Sequence, residues 1–254
     1  MRAPAIVILG LGKGVGASCA RKFAESGWSV MIVEDDQKAL ARASDDLGDL
    51  ASYLSENQST RLGLKNALSG MLEQFDGVDV VLNIPPLSDP IEMDDLTLER
   101  VTQELKQTTT TALMAGQVFG REMVAELRAH EDNAERVPYK KSFIQLLSRA
   151  AIAGNPGSAL NTVTQGSVLS VMKALALEYA PYKIRSNAIV AVRPHSEETE
   201  SWLKERTPLK RAARASEIAE AAYYLASSEG AYVNGHALEL DGGRSVLNGT
   251  MPSS

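Results

Sequence analysis

Short apolar runs alternate with longer segments of helical period along almost the whole chain. The runs, rich in Val, Ile and Leu, predict strands at Ala5–Leu9, Ser29–Val33, Ala51–Leu54, Val78–Asn83, Phe143–Leu147, Ile184–Val192 and Ala237–Leu240. Between them, apolar residues recurring every three or four positions predict helices at Val15–Glu25, Gln37–Asp46, Thr60–Gln74, Thr108–Ala129, Asn161–Ala180 and Ser216–Ala226. Alternation of this kind builds right-handed βαβ units with parallel strands and helices on both faces. The expected fold is therefore α/β, a doubly wound, mostly parallel Rossmann-type sheet, with residues 1–254 forming a single domain. The charged stretch from His130 to Lys141, which contains Pro138, reads as a surface loop before the fifth strand.

Composition narrows the partners. A formal net charge of −6 argues against a general nucleic-acid binder, and the basic cluster from Lys204 to Arg214 reads as a solvated helix face. No apolar run approaches the ~18 residues of a membrane span, so no membrane partner is expected and the cytoplasm is the expected compartment. The one cysteine, Cys19, excludes an internal disulfide and falls among the apolar positions of the first helix. No His, Cys or carboxylate spacing suits a metal.

Chemistry gathers first in LGLGKGVG, Leu9 to Gly16, between the first strand and the first helix. Gly10, Gly14 and Gly16 let the backbone turn tightly and approach a pyrophosphate, which Val15 and the helix N-terminus would meet. The alternative reading is glycines kept only for a tight β–α turn. The second strand runs into Glu34, placed 18 residues after Gly16, where a carboxylate accepts bonds from an adenosine ribose. Such a carboxylate disfavours the 2′-phosphate of NADP, whereas Lys13 in the loop favours it. NAD is the expected cofactor, with NADP, or no bound cofactor, as the alternatives.

From Ser148 to Ala188 the chain reads SRAAIAGNPGSALNTVTQGSVLSVMKALALEYAPYKIRSNA. Together with LGLGKGVG, with VDVVLN before Ile84, and with the C-terminal TPLKR…SEIAEAAYYLASSEG…ELDGG, this resembles the short-chain dehydrogenase/reductase family. The resemblance covers nearly the whole chain. It implies an NAD(P)-dependent oxidoreductase scaffold, with Asn57 at the adenine amino group and Asn83 beside the dinucleotide. It also places Ser148 at the family's catalytic Ser, Asn161 at the Tyr and Gln165 at the Lys of Tyr-x-x-x-Lys. Thr108 is the nearest match to the family's catalytic Asn. In the family the helices that correspond to Thr108–Ala129 and Asn161–Ala180 pair between subunits. Small and apolar residues there, among them Ala112, Ala115, Gly116, Val168, Val171 and Ala174, lead us to expect a homotetramer, with a homodimer as the fallback.

Residues i and i+4 share a helix face, which is how a Lys charge lowers a Tyr pKa and makes the phenol an acid. An Asn amide gives up no proton near neutral pH, and a Gln carries no charge. A positioned general acid is worth on the order of 10²–10⁴ in rate. Residue chemistry thus favours a nucleotide-binding pseudoenzyme, acting as a sensor of a dinucleotide or small metabolite or as a structural subunit. The competing reading is a divergent NAD-dependent oxidoreductase of a small carbonyl or alcohol. Its unusual proton route would run through His195, after the sixth strand, or a water held by Ser148.

Overall fold

The computed structural model describes residues 2–129, 141–154, 157–191 and 203–248. Seven parallel strands form one sheet in the order β3-β2-β1-β4-β5-β6-β7. They are β1 (Ala5–Leu9), β2 (Ser29–Glu34), β3 (Ser52–Ser55), β4 (Val80–Asn83), β5 (Ser142–Ser148), β6 (Arg185–Ala191) and β7 (Ala237–Leu240). The helices are α1 (Val15–Glu25), α2 (Gln37–Leu47), α3 (Arg61–Phe75), α4 (Leu98–Leu105), α5 (Thr111–Ala129), α6 (Ala159–Glu178) and α7 (Ala215–Ala226).

Strand periodicity divides the core into two layers. Along β1, Ala5, Val7 and Leu9 face a layer that includes Leu64, Met71, Phe119 and Met172 from α3, α5 and α6. Ile6 and Ile8 face the other, which includes Cys19 and Phe23 of α1 and Ile218 and Leu225 of α7. Every residue of β1, β4 and β6 is buried, as strands covered by helices on both sides require. The strand order reverses at β1, which pairs with β2 on one side and β4 on the other. Open α/β sheets bind ligands in the crevice at the carboxyl ends of such a pair.

Three sequence expectations change here. The helix expected from Thr108 begins instead as α5 at Thr111, after the separate helix α4 and a wide π turn, Lys106–Thr110. Thr108 and Thr111 explain the wide turn: their hydroxyls donate to the carbonyls of Glu104 at 2.6 Å and Lys106 at 3.0 Å. Also, Ala112, Ala115, Gly116, Val168 and Val171 are buried within the chain's own core, so they are no surplus for an interface; Ala174 is exposed. Lys141 is buried as well and enters β5 directly; the rest of its expected loop, 130–140, lies outside the described residues.

At the sheet's opposite end Asp79 accepts from Arg2 at 2.6 Å, from the Ala5 amide at 2.8 Å and from Lys141 at 3.3 Å. Burial pushes this carboxyl up, but Lys141, Arg2 and the Ala5 amide outweigh it and hold it below the usual carboxylate range. A depressed folded-state pKa gives stability that is complete above the unfolded value and lost as pH falls through the folded one. Urea unfolding should therefore show a loss as pH falls below about 4, the ordinary Asp value, that Asp79→Asn flattens. An identical acid loss in the variant would place the sensitivity elsewhere.

Candidate functional site

β1 hands the chain to a loop that only glycine permits at two points. Gly10 has φ +92°, its amide donates to Val33 O at 2.9 Å, and a Cβ there would stand 2.7 Å from Ile84 O. A Cβ on Gly16 would stand 2.8 Å from Gly10 O, so the first turn of α1 packs on the loop backbone. Gly14, at φ +95°, leads into α1 with open space where its Cβ would be. Lys13 also takes a left-handed conformation, φ +54°.

Glu34 ties this loop to β2. Its Oε2 accepts from the Leu11 amide at 2.9 Å, and its Oε1 accepts from the amides of Asp35 at 3.0 Å and Asp36 at 3.2 Å. Burial pushes the Glu34 carboxyl up; the Leu11 and Asp36 amides pull the other way, and the neighbouring Asp35 carboxyl adds to the rise.

A cleft of about 480 Å³ opens over the loop. Of the residues singled out in the sequence, Gly10, Lys13, Val15 and Glu34 line it. Ile84, Pro85 and Pro86, which follow Asn83 where the resemblance puts the dinucleotide, line it too; sequence reasoning missed Asp35, Gln58, Ser59, Leu87, Gln107, Ala213, Ala215 and Ile218. Asn57 is not part of the lining: its side-chain oxygen accepts from the Ser59 amide at 2.9 Å and the Ser59 hydroxyl at 2.5 Å. That turn brings Gln58 to the cleft, where its Oε1 is buried without a hydrogen-bond partner among the described residues. The signal available in the sequence was the Asn-x-Ser turn itself. Asn83 is buried behind the cleft, donating to Gln145 of β5 at 2.7 Å.

Fit to a nucleotide diphosphate can be judged from these atoms. The glycine loop offers close backbone approach before a helix N-terminus, and the carboxylates of Glu34 and Asp35 stand at the end of β2. The residues fit such a group: the loop would hold the phosphates and Glu34 the ribose.

Ser148, Asn161 and Gln165 are brought together, but not in the cleft. Gln165, wholly buried, donates to Pro86 O at 3.2 Å and accepts from the Ser148 amide at 3.1 Å. Asn161 grips Ser88 at both ends, donating to its carbonyl at 2.7 Å and accepting from its amide at 3.0 Å. The Ser148 hydroxyl accepts from the Ala150 amide at 3.3 Å. The segment Pro86–Ser88 is thus a partition, lining the cleft on one side and fastened to α6 on the other. His195 lies outside the described residues. Among the described residues no group of three His, Cys, Asp or Glu could hold a metal ion, and no helix is long and apolar enough to cross a membrane.

A family model described as enoyl-(acyl carrier protein) reductase matches residues 10–245. The chain is 30% identical over 254 aligned residues to galactitol 2-dehydrogenase (L-tagatose-forming) of Cereibacter sphaeroides, with 94% of each covered. It is 26% identical to 3-oxoacyl-(acyl-carrier-protein) reductase of Bos taurus, over 93% of this chain and 95% of the other. The structure of 3-ketoacyl-(acyl-carrier-protein) reductase from Brucella melitensis complexed with NADH aligns with a TM-score of 0.83 at 26% identity, covering 96% of this chain and 99% of that one. The fold and crevice are those of a Rossmann-type oxidoreductase scaffold. The chain belongs to the short-chain dehydrogenase/reductase family, whose members use NAD(P).

Proposed function

We propose that this chain binds NAD(H) without reducing ordinary carbonyls, and serves as a dinucleotide sensor or as a structural subunit. One observation carries the reading: Asn161 and Gln165, at the positions that resemblance assigns to the Tyr–Lys pair, spend their polar atoms fastening Pro86–Ser88 to α6. Neither side chain can serve as a proton donor near neutral pH, and the partition keeps both from the cleft. The test is a calorimetric titration with NADH beside a turnover assay on small ketones and diketones. Binding without turnover supports the proposal, and absence of binding overturns it. The relatives, a dehydrogenase and a reductase matched over 94% and 95% of their length, favour the second reading, a divergent NAD-dependent oxidoreductase. Turnover abolished by His195→Ala would establish it.

Cofactor choice follows from charge. Glu34 and Asp35 both line the adenosine end of the cleft, so a 2′-phosphate would meet two carboxyls against the single Lys13. NADH should bind more tightly than NADPH, and Glu34→Gln should narrow the gap by on the order of tenfold, since Gln retains an acceptor for the Leu11 amide. Tighter NADPH binding by the parent protein would show that Lys13 dominates.

For assembly, we propose the homotetramer, or failing that a homodimer, through α5 and α6. Exposed Leu113, Val163 and Leu177 lie on these helices and would be covered there. A monomer mass by light scattering that stays constant with concentration would contradict this.

A further inference from the structure

We propose that a second ligand site lies outside the cleft, at the carboxyl ends of β5 and β7, where Arg149, Arg206 and Arg244 hold the carboxylate of a small organic acid. The inference goes beyond the nucleotide reading and does not depend on it, because none of these residues lines the cleft.

Sheet register brings the site together. Ser148, Ala191 and Leu240 pair in one row across β5, β6 and β7. Arg149 and Asp241 each follow that row by one residue. Arg149 Nη1 reaches across to donate to Asp241 at 3.2 Å and to the Ser245 hydroxyl at 2.5 Å. The Asp241 carboxylate also accepts from the amides of Gly243 at 2.9 Å and Ser245 at 2.5 Å. Burial pushes this carboxyl up, but Ser245, the Gly243 amide and Arg149 outweigh it and hold it below the usual carboxylate range. Gly242 brings in Arg206. Its φ is +63°, and a Cβ there would stand 2.6 Å from Thr207 Cγ2, so the turn after Arg206 packs directly on this glycine. The Leu209 amide donates to Gly242 O at 3.2 Å, and Arg244 Nη1 donates to Arg206 O at 3.5 Å. The basic stretch 204–214 is therefore not the continuous helix face that its sequence suggests: residues 207–211 are not helical. Within it Arg211 is spent on Glu217, at 2.6 and 2.7 Å.

Charge decides the ligand. Three guanidiniums stand with two carboxylates, Asp241 and Glu239, the latter accepting from the Ser245 hydroxyl, so the cluster keeps one excess positive charge. Burial lowers the Arg244 pKa, and the charges of Arg149 and Arg206 lower it further against the opposing Asp241. Both bonds that Arg149 makes use Nη1; its Nη2 and Nε have no acceptor among the described residues, and its side chain is 24% exposed. A planar guanidinium fork matches the two oxygens of a carboxylate. One carboxylate restores neutrality, whereas a phosphate monoester dianion overshoots it.

The experiment follows the arginine Nε–Hε NMR signals of the full chain during titration with propionate, with propionamide and methyl phosphate as controls. Propionate should shift the Arg149 and Arg244 signals saturably, with a Kd on the order of 1 mM. Propionamide should shift neither, and methyl phosphate should bind about tenfold more weakly. Arg149→Gln should weaken propionate about tenfold, and Arg149→Lys, which keeps the charge and loses the fork, about threefold. The lysine variant can still pair with Asp241, so it reports even where the glutamine variant does not fold. Saturating NADH should leave the propionate affinity unchanged. No saturable shift, equal shifts with propionamide, tighter binding of methyl phosphate or an unchanged affinity in Arg149→Lys would each overturn the inference. Competition by NADH would overturn it too, because it would place the carboxylate in the cleft.

Discussion

Gly10→Val is expected to abolish nucleotide binding and to destabilise the fold by about 3 kcal/mol or more. Two independent costs meet at this residue. Its φ of +92° lies where a β-branched side chain is an outlier, worth about 1–3 kcal/mol of strain. Its Cβ would also stand 2.7 Å from Ile84 O, a backbone atom of a residue whose amide is held to β1 by a 2.8 Å bond to Leu9 O. Overpacking of this kind adds about 1–3 kcal/mol. Gly14 supplies the control. It shares the conformation, φ +95°, but has nothing within 4 Å of a Cβ, so Gly14→Ala should cost only about 1–2 kcal/mol. Urea unfolding of the two variants measures the contrast. Equal losses would mean that backbone strain alone decides and that the close approach of β4 to the loop carries no weight.

The fold was legible because the core repeats one decision at every strand. Ala5 to Leu9 must present both faces to helices, and an unbroken apolar run is the pattern that does so. The helix α4 was less legible, although Thr97 caps it through Arg100 N and Leu98, Val101 and Leu105 follow at helical spacing. Its eight residues end in the Thr-rich π turn, and a periodic reading merges such a turn into the next helix. At the cofactor end the glycines and Glu34 were readable because their chemistry is local, a turn and a strand end. Gln58 was not, because its exposure to the cleft depends on the Asn57–Ser59 turn and on the position of Gly10 across the sheet edge. The partition was the least legible element. Pro85 and Pro86 announce a stiff segment, but nothing in sequence distance joins Ser88 to Asn161, 73 residues away.

Gln165→Lys together with Asn161→Tyr should destabilise the ligand-free protein by about 4 kcal/mol while yielding little activity. Gln165 is wholly buried and uses its carboxamide at both ends. Lysine offers donors only, so it can keep the bond to Pro86 O but leaves the Ser148 amide facing an ammonium and without an acceptor. A buried unpaired amide costs about 1–3 kcal/mol and a buried cation without a counter-charge adds more. Asn161→Tyr removes the paired bonds to Ser88, a further loss of about 1–2 kcal/mol, and its ring needs the space that the partition fills. The amides of Ser88 and Ser148 should then exchange with solvent faster, and the cleft should open toward α6. Reduction of a small ketone by NADH should rise only slightly, because a phenol–ammonium pair also needs a substrate held against it, and Pro85 to Leu87 still line that side. Unchanged stability and unchanged Ser88 exchange would show that the partition does not depend on these two side chains. A parent protein already turning over at about 1–10³ s⁻¹ would remove the reason for restoring the pair at all.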